Sequence, residues 1–206
     1  HGRDPYFSGW PDTLQLNYGN PATQEAMIGE LLKIAGQCDG VRCDMAMLVL
    51  PEVFERTWGL PAELFWPKAT EAVRRTYPRF LFMAEVYWDR EWTMQQQGFD
   101  YAYDKRLYDR LREGQARPVR EHFHAGLDFQ DKLARFLENH DEPRAAATFP
   151  PDVHEAAAVI TVVAGMLLWL LLSAGGVFIS VDSTLEDVLG DGALTALIAA
   201  AVANED

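Results

Sequence analysis

Within Gly40-Val41-Arg42-Cys43-Asp44 an arginine and an aspartate stand two residues apart. On an extended strand residues i and i+2 point to the same side, so the guanidinium would face the carboxylate while Val41, Cys43 and Met45 face away. A neighbouring guanidinium keeps a carboxylate ionised and oriented, which is what a nucleophile requires. A second carboxylate, Glu85, closes the apolar run Phe82-Met83-Ala84. Desolvation there favours the neutral carboxyl, the form a general acid needs. A third cluster is Glu138-Asn139-His140-Asp141, in which Leu137, Asn139 and Asp141 share one face of an extended chain. Asp141 can accept hydrogen bonds from hydroxyls, and His140 can donate one. Each motif also has a purely structural reading: a buried ion pair at Arg42–Asp44, an exposed strand end at Glu85, a capping cluster at 138–141. It is the set that points to catalysis.

These residues need strands to hold them. Asn20-Pro21 is a helix start, with Asn as cap and Pro at the first helical position, and Met27, Leu31, Ile34 and Ala35 continue at helical spacing. Cys38 to Met45 reads as a short strand, Trp66-Pro67 opens a helix running through Ala69 to Thr76, and Arg79 to Tyr87 is a strongly apolar strand. Phe99 to Tyr103 is a weaker strand, Leu127 to Phe136 is predicted helical, and Phe136 to Asp141 is predicted as the end of a further strand. Strands alternating with helices imply an α/β fold with a parallel sheet. In a parallel barrel the carboxyl ends of the strands converge on one face, where active sites lie.

In chain order, Asp39-Gly-Val-Arg-Cys-Asp44, Phe82-Met-Ala-Glu85 and Phe136-Leu-Glu-Asn-His-Asp141 resemble the motifs of the alpha-amylase family of glycoside hydrolases (family 13). Gln15-Leu16-Asn17 followed by Asn20-Pro21 is a looser fourth match. The resemblance covers roughly residues 10–164. It implies a (β/α)8 TIM barrel, present here as roughly strands four to eight. It also implies roles: Asp44 the catalytic nucleophile, Glu85 the general acid/base, Asp141 the transition-state stabiliser, with Arg42 and His140 orienting the nucleophile and binding the sugar. The implied activity is a retaining α-glucan hydrolase or transglycosylase working by double displacement. The alternative is a catalytically dead barrel fragment that binds glucan or a partner protein.

Three departures qualify the match. Nothing corresponds to the family's Asn-His motif at strand three, so the chain is expected to start after that strand and to be inactive by itself. An aspartate often found near Gln15 is absent and no acidic cluster suggests calcium, so no metal and no cofactor is expected. Met47 and Leu48 stand where family members often carry Lys-His, so contacts to the product-side sugar must differ.

Composition bounds the rest. A 206-residue chain that is 49% hydrophobic and 12% aromatic suits a globular domain with a core. The net charge of -13 repels phosphate backbones, which argues against nucleic acid, and the resemblance implies an α-glucan or oligosaccharide as the partner. Cys38 and Cys43 are five residues apart, too far along one strand to bridge. They read as free thiols, which leans toward a cytoplasmic location. All 18 Lys and Arg lie at or before Arg144, and Ala156 to Val181 carries no charge. The resemblance, which ends near residue 164, implies a partial-barrel catalytic region, 1–164, followed by a divergent apolar and acidic tail, 165–206. The uncharged run is long enough to span a bilayer. Its flanks are acidic and lack the basic residues that fix orientation, so packing on the barrel is expected.

Overall fold

A computed structural model of the chain describes residues 1–7, 9–149 and 155–161. These residues form two compact units: His1–Lys105 with Lys132–Ala134, and Arg106–Asp131 with the described residues from Arg135 onward. The boundary drawn from sequence at 164/165 lies outside the described residues.

The first unit is built on a parallel sheet. Helix α1, Pro21–Ala35, begins where the sequence predicts: the Asn20 side chain accepts the Ala22 N–H at 3.0 Å, and Pro21 supplies a fixed φ in the first turn. Strand β1, Gly40–Cys43, follows. After a 3-10 turn over Ala46–Val49 come α2, Pro51–Trp58, and α3, Trp66–Thr76. Strand β2 is Leu81–Ala84, α4 is Glu91–Gln96, and β3 is Tyr101–Tyr103. The last strand of the sheet, β4, is Leu133–Ala134. The order is β1-β2-β3-β4, every pair parallel, with Gly40 opposite Leu81, Met83 opposite Tyr101 and Ala102 opposite Leu133.

Strand alternation separates two faces. Phe82, Ala84 and Val86 are fully buried on one of them. There Phe82 meets Phe80 and Phe99 edge to face, Trp66 of α3 meets Phe99, and the Arg74 guanidinium of α3 lies over the Phe82 ring. Arg74 also pairs with Asp100 at 2.7 Å, and the same carboxylate accepts the Phe82 N–H at 2.8 Å, which ties α3 to β2 and β3. The other face carries Arg42, Met83, Glu85, Tyr101 and Tyr103. Gly40 is required where β1 meets β2: a Cβ there would stand 2.8 Å from the Leu81 carbonyl oxygen.

The second unit takes α5 (Lys105–Glu113) from Arg106 onward, with α6 (Ala116–His122), α7 (Leu127–Gln130) and α8 (Ala145–Thr148), all of them short. Residues 155–161 are also helical. Leu107, Tyr108 and Leu111 of α5 form a core with Ala145, Phe149 and Ala157, and Tyr108 stacks on Phe136.

Three expectations change. The helix predicted over Leu127 to Phe136 stops at Gln130, and the strand follows at Leu133–Ala134. Phe136 to Asp141 is not a strand end but turns, because the Asn139 carboxamide accepts the N–H groups of both Asp141 and Glu142. Five strands of a barrel are expected, and the described residues hold four in one parallel sheet. Most of the uncharged run lies outside the described residues. Among those described, no helix is long and apolar enough to cross a membrane.

Candidate active site

The carboxyl ends of β1 and β2 bring Arg42, Asp44 and Glu85 together in the first unit. Arg42 Nη1 lies 2.6 Å from Asp44 Oδ1, and its Nη2 lies 3.0 Å from Glu85 Oε1. One guanidinium thus bridges two carboxylates from neighbouring parallel strands. The two differ in exposure: the Asp44 side chain is 77% exposed, whereas Glu85 as a residue is 3% exposed. Arg42 Nε donates to the Tyr103 hydroxyl at 3.1 Å, and the Tyr103 ring lies under the guanidinium. Burial works against the Arg42 charge. The Tyr103 hydrogen bond, the Glu85 carboxylate and the Asp44 hydrogen bond outweigh it and hold the guanidinium above its ordinary range.

Glu85 is not in the apolar setting its strand suggests. An ion-pair partner and two hydrogen-bond donors face it: the Arg42 guanidinium, the Tyr87 hydroxyl at 2.8 Å from Oε1, and the Met45 N–H at 2.7 Å from Oε2. Its backbone is engaged as well, donating to the Cys43 carbonyl at 3.0 Å and accepting the Ala46 N–H at 2.9 Å. The segment 43–46, which carries Asp44, is therefore fastened to residue 85 at three points. The Trp66 indole N–H adds a fourth tie, donating to the Ala46 carbonyl at 2.8 Å. Behind the sheet, burial pushes the Cys43 thiol up to about 12 against a smaller opposing effect of Arg42.

Backbone strain concentrates at these strand ends. Among the described residues, the non-glycine residues with positive φ are Met45 (φ 42°), Trp88 (φ 61°) and Asp89 (φ 59°). The first follows Asp44 directly, and the others lie in the loop leaving Glu85. Such conformations cost about 1–3 kcal/mol each and persist where the surroundings impose them, commonly at functional sites.

His140 and Asp141 belong to the second unit. His140 Nε2 lies 3.1 Å from Asp141 Oδ2, and both side chains are largely exposed. Their neighbour Glu138 does capping work: it accepts the Ala145 N–H at 2.5 Å at the start of α8 and pairs with Arg144 at 2.7 Å. Among the described residues no cluster of three or more His, Cys, Asp and Glu could hold a metal ion.

Sequence reasoning named Arg42, Asp44 and Glu85 but missed Tyr87, Tyr103 and the Met45 N–H. The tyrosines carried a signal. Tyr87 stands two residues after Glu85, and Tyr103 ends the next strand on the face that Arg42 occupies. The Met45 contact carried none, because it arises from a left-handed turn that no glycine announces.

No family model and no curated protein sequence matches the chain. Solved structures do match. The crystal structure of an alpha-amylase from Lactobacillus plantarum is 24% identical with a TM-score of 0.51, covering 68% of this chain and 35% of that one. The native form of a Nostoc punctiforme debranching enzyme is 16% identical with a TM-score of 0.53, covering 77% of this chain and 38% of that one. At these identities the likeness shows a shared α/β fold with a parallel sheet. The chain spans somewhat over a third of the length of the structures it resembles.

Proposed function

We infer that the chain carries the central carboxylates of a retaining α-glucan hydrolase or transglycosylase of the alpha-amylase type, built on part of a barrel. The observation that carries this reading is the single guanidinium bridging Asp44 and Glu85 at the ends of adjacent parallel strands. The fold likeness to an alpha-amylase and a debranching enzyme supports an α-glucan as the substrate class. In the first step Glu85, having taken up a proton from solvent, passes it to the leaving oxygen as the Asp44 carboxylate attacks the anomeric carbon and the glycosidic C–O bond breaks. In the second, water or a sugar hydroxyl gives its proton to Glu85 and attacks the same carbon, releasing Asp44. Arg42 orients Asp44. Asp141 and His140 serve as the transition-state stabiliser and sugar ligand that the motif implies.

The burial of Glu85 favours a second reading. Both of its oxygens are engaged by protein donors, so donating a proton to substrate requires breaking one of those contacts. A chain that never breaks them would bind glucan or a protein without turning glucan over.

One experiment separates the two. The chain is incubated with 5-fluoro-α-glucosyl fluoride, whose leaving group needs no protonation, and then mapped by peptide mass. Turnover by the chain alone is expected to be little or none, but trapping needs a single glycosylation, and the catalytic reading expects a glucosyl ester on Asp44 that is absent in Asp44→Asn. Binding of maltooligosaccharides by calorimetry without any ester would establish the binding module. A crystal structure of the trapped ester should also place the two carboxyl groups about 5–5.5 Å apart. A separation beyond about 10 Å would end the retaining mechanism.

A further inference from the structure

We propose that Glu85 is also the positioning residue of Asp44, holding the turn that presents this carboxylate through the hydrogen bond from the Met45 N–H to Glu85 Oε2. The inference rests on the reading of Asp44 as nucleophile, and adds to Glu85 a task separate from proton transfer.

The geometry is specific. Met45 has φ 42° and ψ 45°, a left-handed conformation that is uncommon and costly for a methionine. That turn aims its N–H at Glu85 Oε2 at 2.7 Å. The flanking backbone bonds, Glu85 N–H to the Cys43 carbonyl and Ala46 N–H to the Glu85 carbonyl, fix the two ends of the turn and leave residues 44 and 45 between them. The side-chain bond to Met45 acts between those ends. Without an acceptor there, a partly buried N–H is left unpaired and the left-handed turn loses the contact that opposes its strain. Asp44, largely exposed beyond its pairing with Arg42, would then lose the orientation that a near-attack geometry needs. Tyr87 and Arg42 approach the other oxygen, Oε1, so the positioning contact and those two contacts are on different atoms.

Three variants test this: Glu85→Gln, which keeps a side-chain oxygen for the Met45 N–H; Glu85→Leu, which keeps bulk but no acceptor; and Tyr87→Phe, which removes a contact on Oε1 only. Amide hydrogen exchange read by NMR needs no activity. The Met45 amide should stay protected in Glu85→Gln and Tyr87→Phe, and exchange at least about tenfold faster in Glu85→Leu. Equal protection in Glu85→Leu, with the sheet amides still protected, overturns the proposal. Should Glu85→Leu fail to fold, a scalar coupling across the hydrogen bond carries the test in the unmutated chain. It should appear between the Met45 amide nitrogen and the Glu85 carboxyl carbon, and its absence where backbone couplings of β1 and β2 are seen overturns the proposal. With the glucosyl fluoride, Glu85→Leu should label Asp44 at least about tenfold more slowly than Glu85→Gln, because both lack the acid and only the former lacks the acceptor. Equal labelling rates refute the positioning role. If neither the parent chain nor Glu85→Gln labels Asp44 while exchange behaves as expected, the contact stands and the nucleophile role of Asp44 falls.

Discussion

Replacing Arg42 by methionine separates the two ion pairs it makes. Methionine keeps much of the aliphatic stem and removes the charge. The arm to Asp44 contributes little, because that side chain is 77% exposed and an exposed pair contributes at most about 1 kcal/mol. The arm to Glu85 differs: its partner is buried, and removing one member of a buried pair strands the other charge, a loss of about 3–5 kcal/mol for a fully buried pair. Since Arg42 itself is partly open to solvent, we expect a total of about 2–4 kcal/mol. In urea this lowers the midpoint by roughly 1–2 M. Tryptophan fluorescence is a suitable probe, because five of the six tryptophans (Trp10, Trp58, Trp66, Trp88 and Trp92) lie in the first unit. The decisive variant is the double one. Glu85→Gln removes the stranded charge while keeping an acceptor for Met45, so Arg42→Met with Glu85→Gln should be more stable than Arg42→Met alone. Adding Asp44→Asn to Arg42→Met should recover nothing. If Glu85→Gln restores no stability in that background, Arg42 is not compensating the charge of Glu85 and the account of the site is wrong.

Other expectations are simpler to check. Iodoacetamide at pH 8 should alkylate exposed Cys38 and spare Cys43, whose thiol is pushed up to about 12 by burial; peptide mass mapping reads the result, and equal labelling of the native protein would contradict it. Burial, helped by Asp104 and opposed by a backbone hydrogen bond, raises the Glu91 carboxyl above its ordinary 4.5. A raised carboxyl contributes stability that is present below 4.5 and is lost as pH rises through the folded value. Glu91→Gln should therefore shrink the fall in urea midpoint between pH 4.5 and 7, and an unchanged fall would sink the assignment. Gly40→Ala forces a methyl against the Leu81 backbone oxygen and should cost about 1–3 kcal/mol in the same urea assay, whereas Gly29→Ala, with open space around it, should not destabilise.

Much of this was legible in the sequence where local signals and tertiary packing agree. Helix α1 was readable at both ends because Asn20 and Pro21 mark its start and its apolar spacing runs out at Ala35. The Arg42–Asp44 pairing followed from strand periodicity alone, and the pair is 2.6 Å apart. What was not legible depends on contacts distant in sequence. Strand β4 is two residues long, too short for any period, and its ladder partners lie in β3. The same apolar residues therefore read as a helix extending to Phe136. Glu85 read as a carboxyl in apolar surroundings because the sequence shows only its strand neighbours. Its partners come from residues 42, 45 and 87, and no short-range pattern announces that convergence.

The hydrogen bonds between residue 85 and residues 43 and 46 continue the β1–β2 ladder past the last paired residues of both strands. The site is thus the end of the ladder, and its charges act as a gauge of alignment during folding. A slip of one residue between β1 and β2 would turn Arg42 to the helix-packed side and bring Val41 or Cys43 toward Glu85, leaving a buried carboxylate with no cation. It would also drive a side chain into the space that only Gly40 fits beside Leu81. Misaligned forms of the sheet are penalised at both ends of one strand, by charge at the top and by volume at the bottom, so the residues proposed for chemistry also help the chain reject its nearest wrong structure.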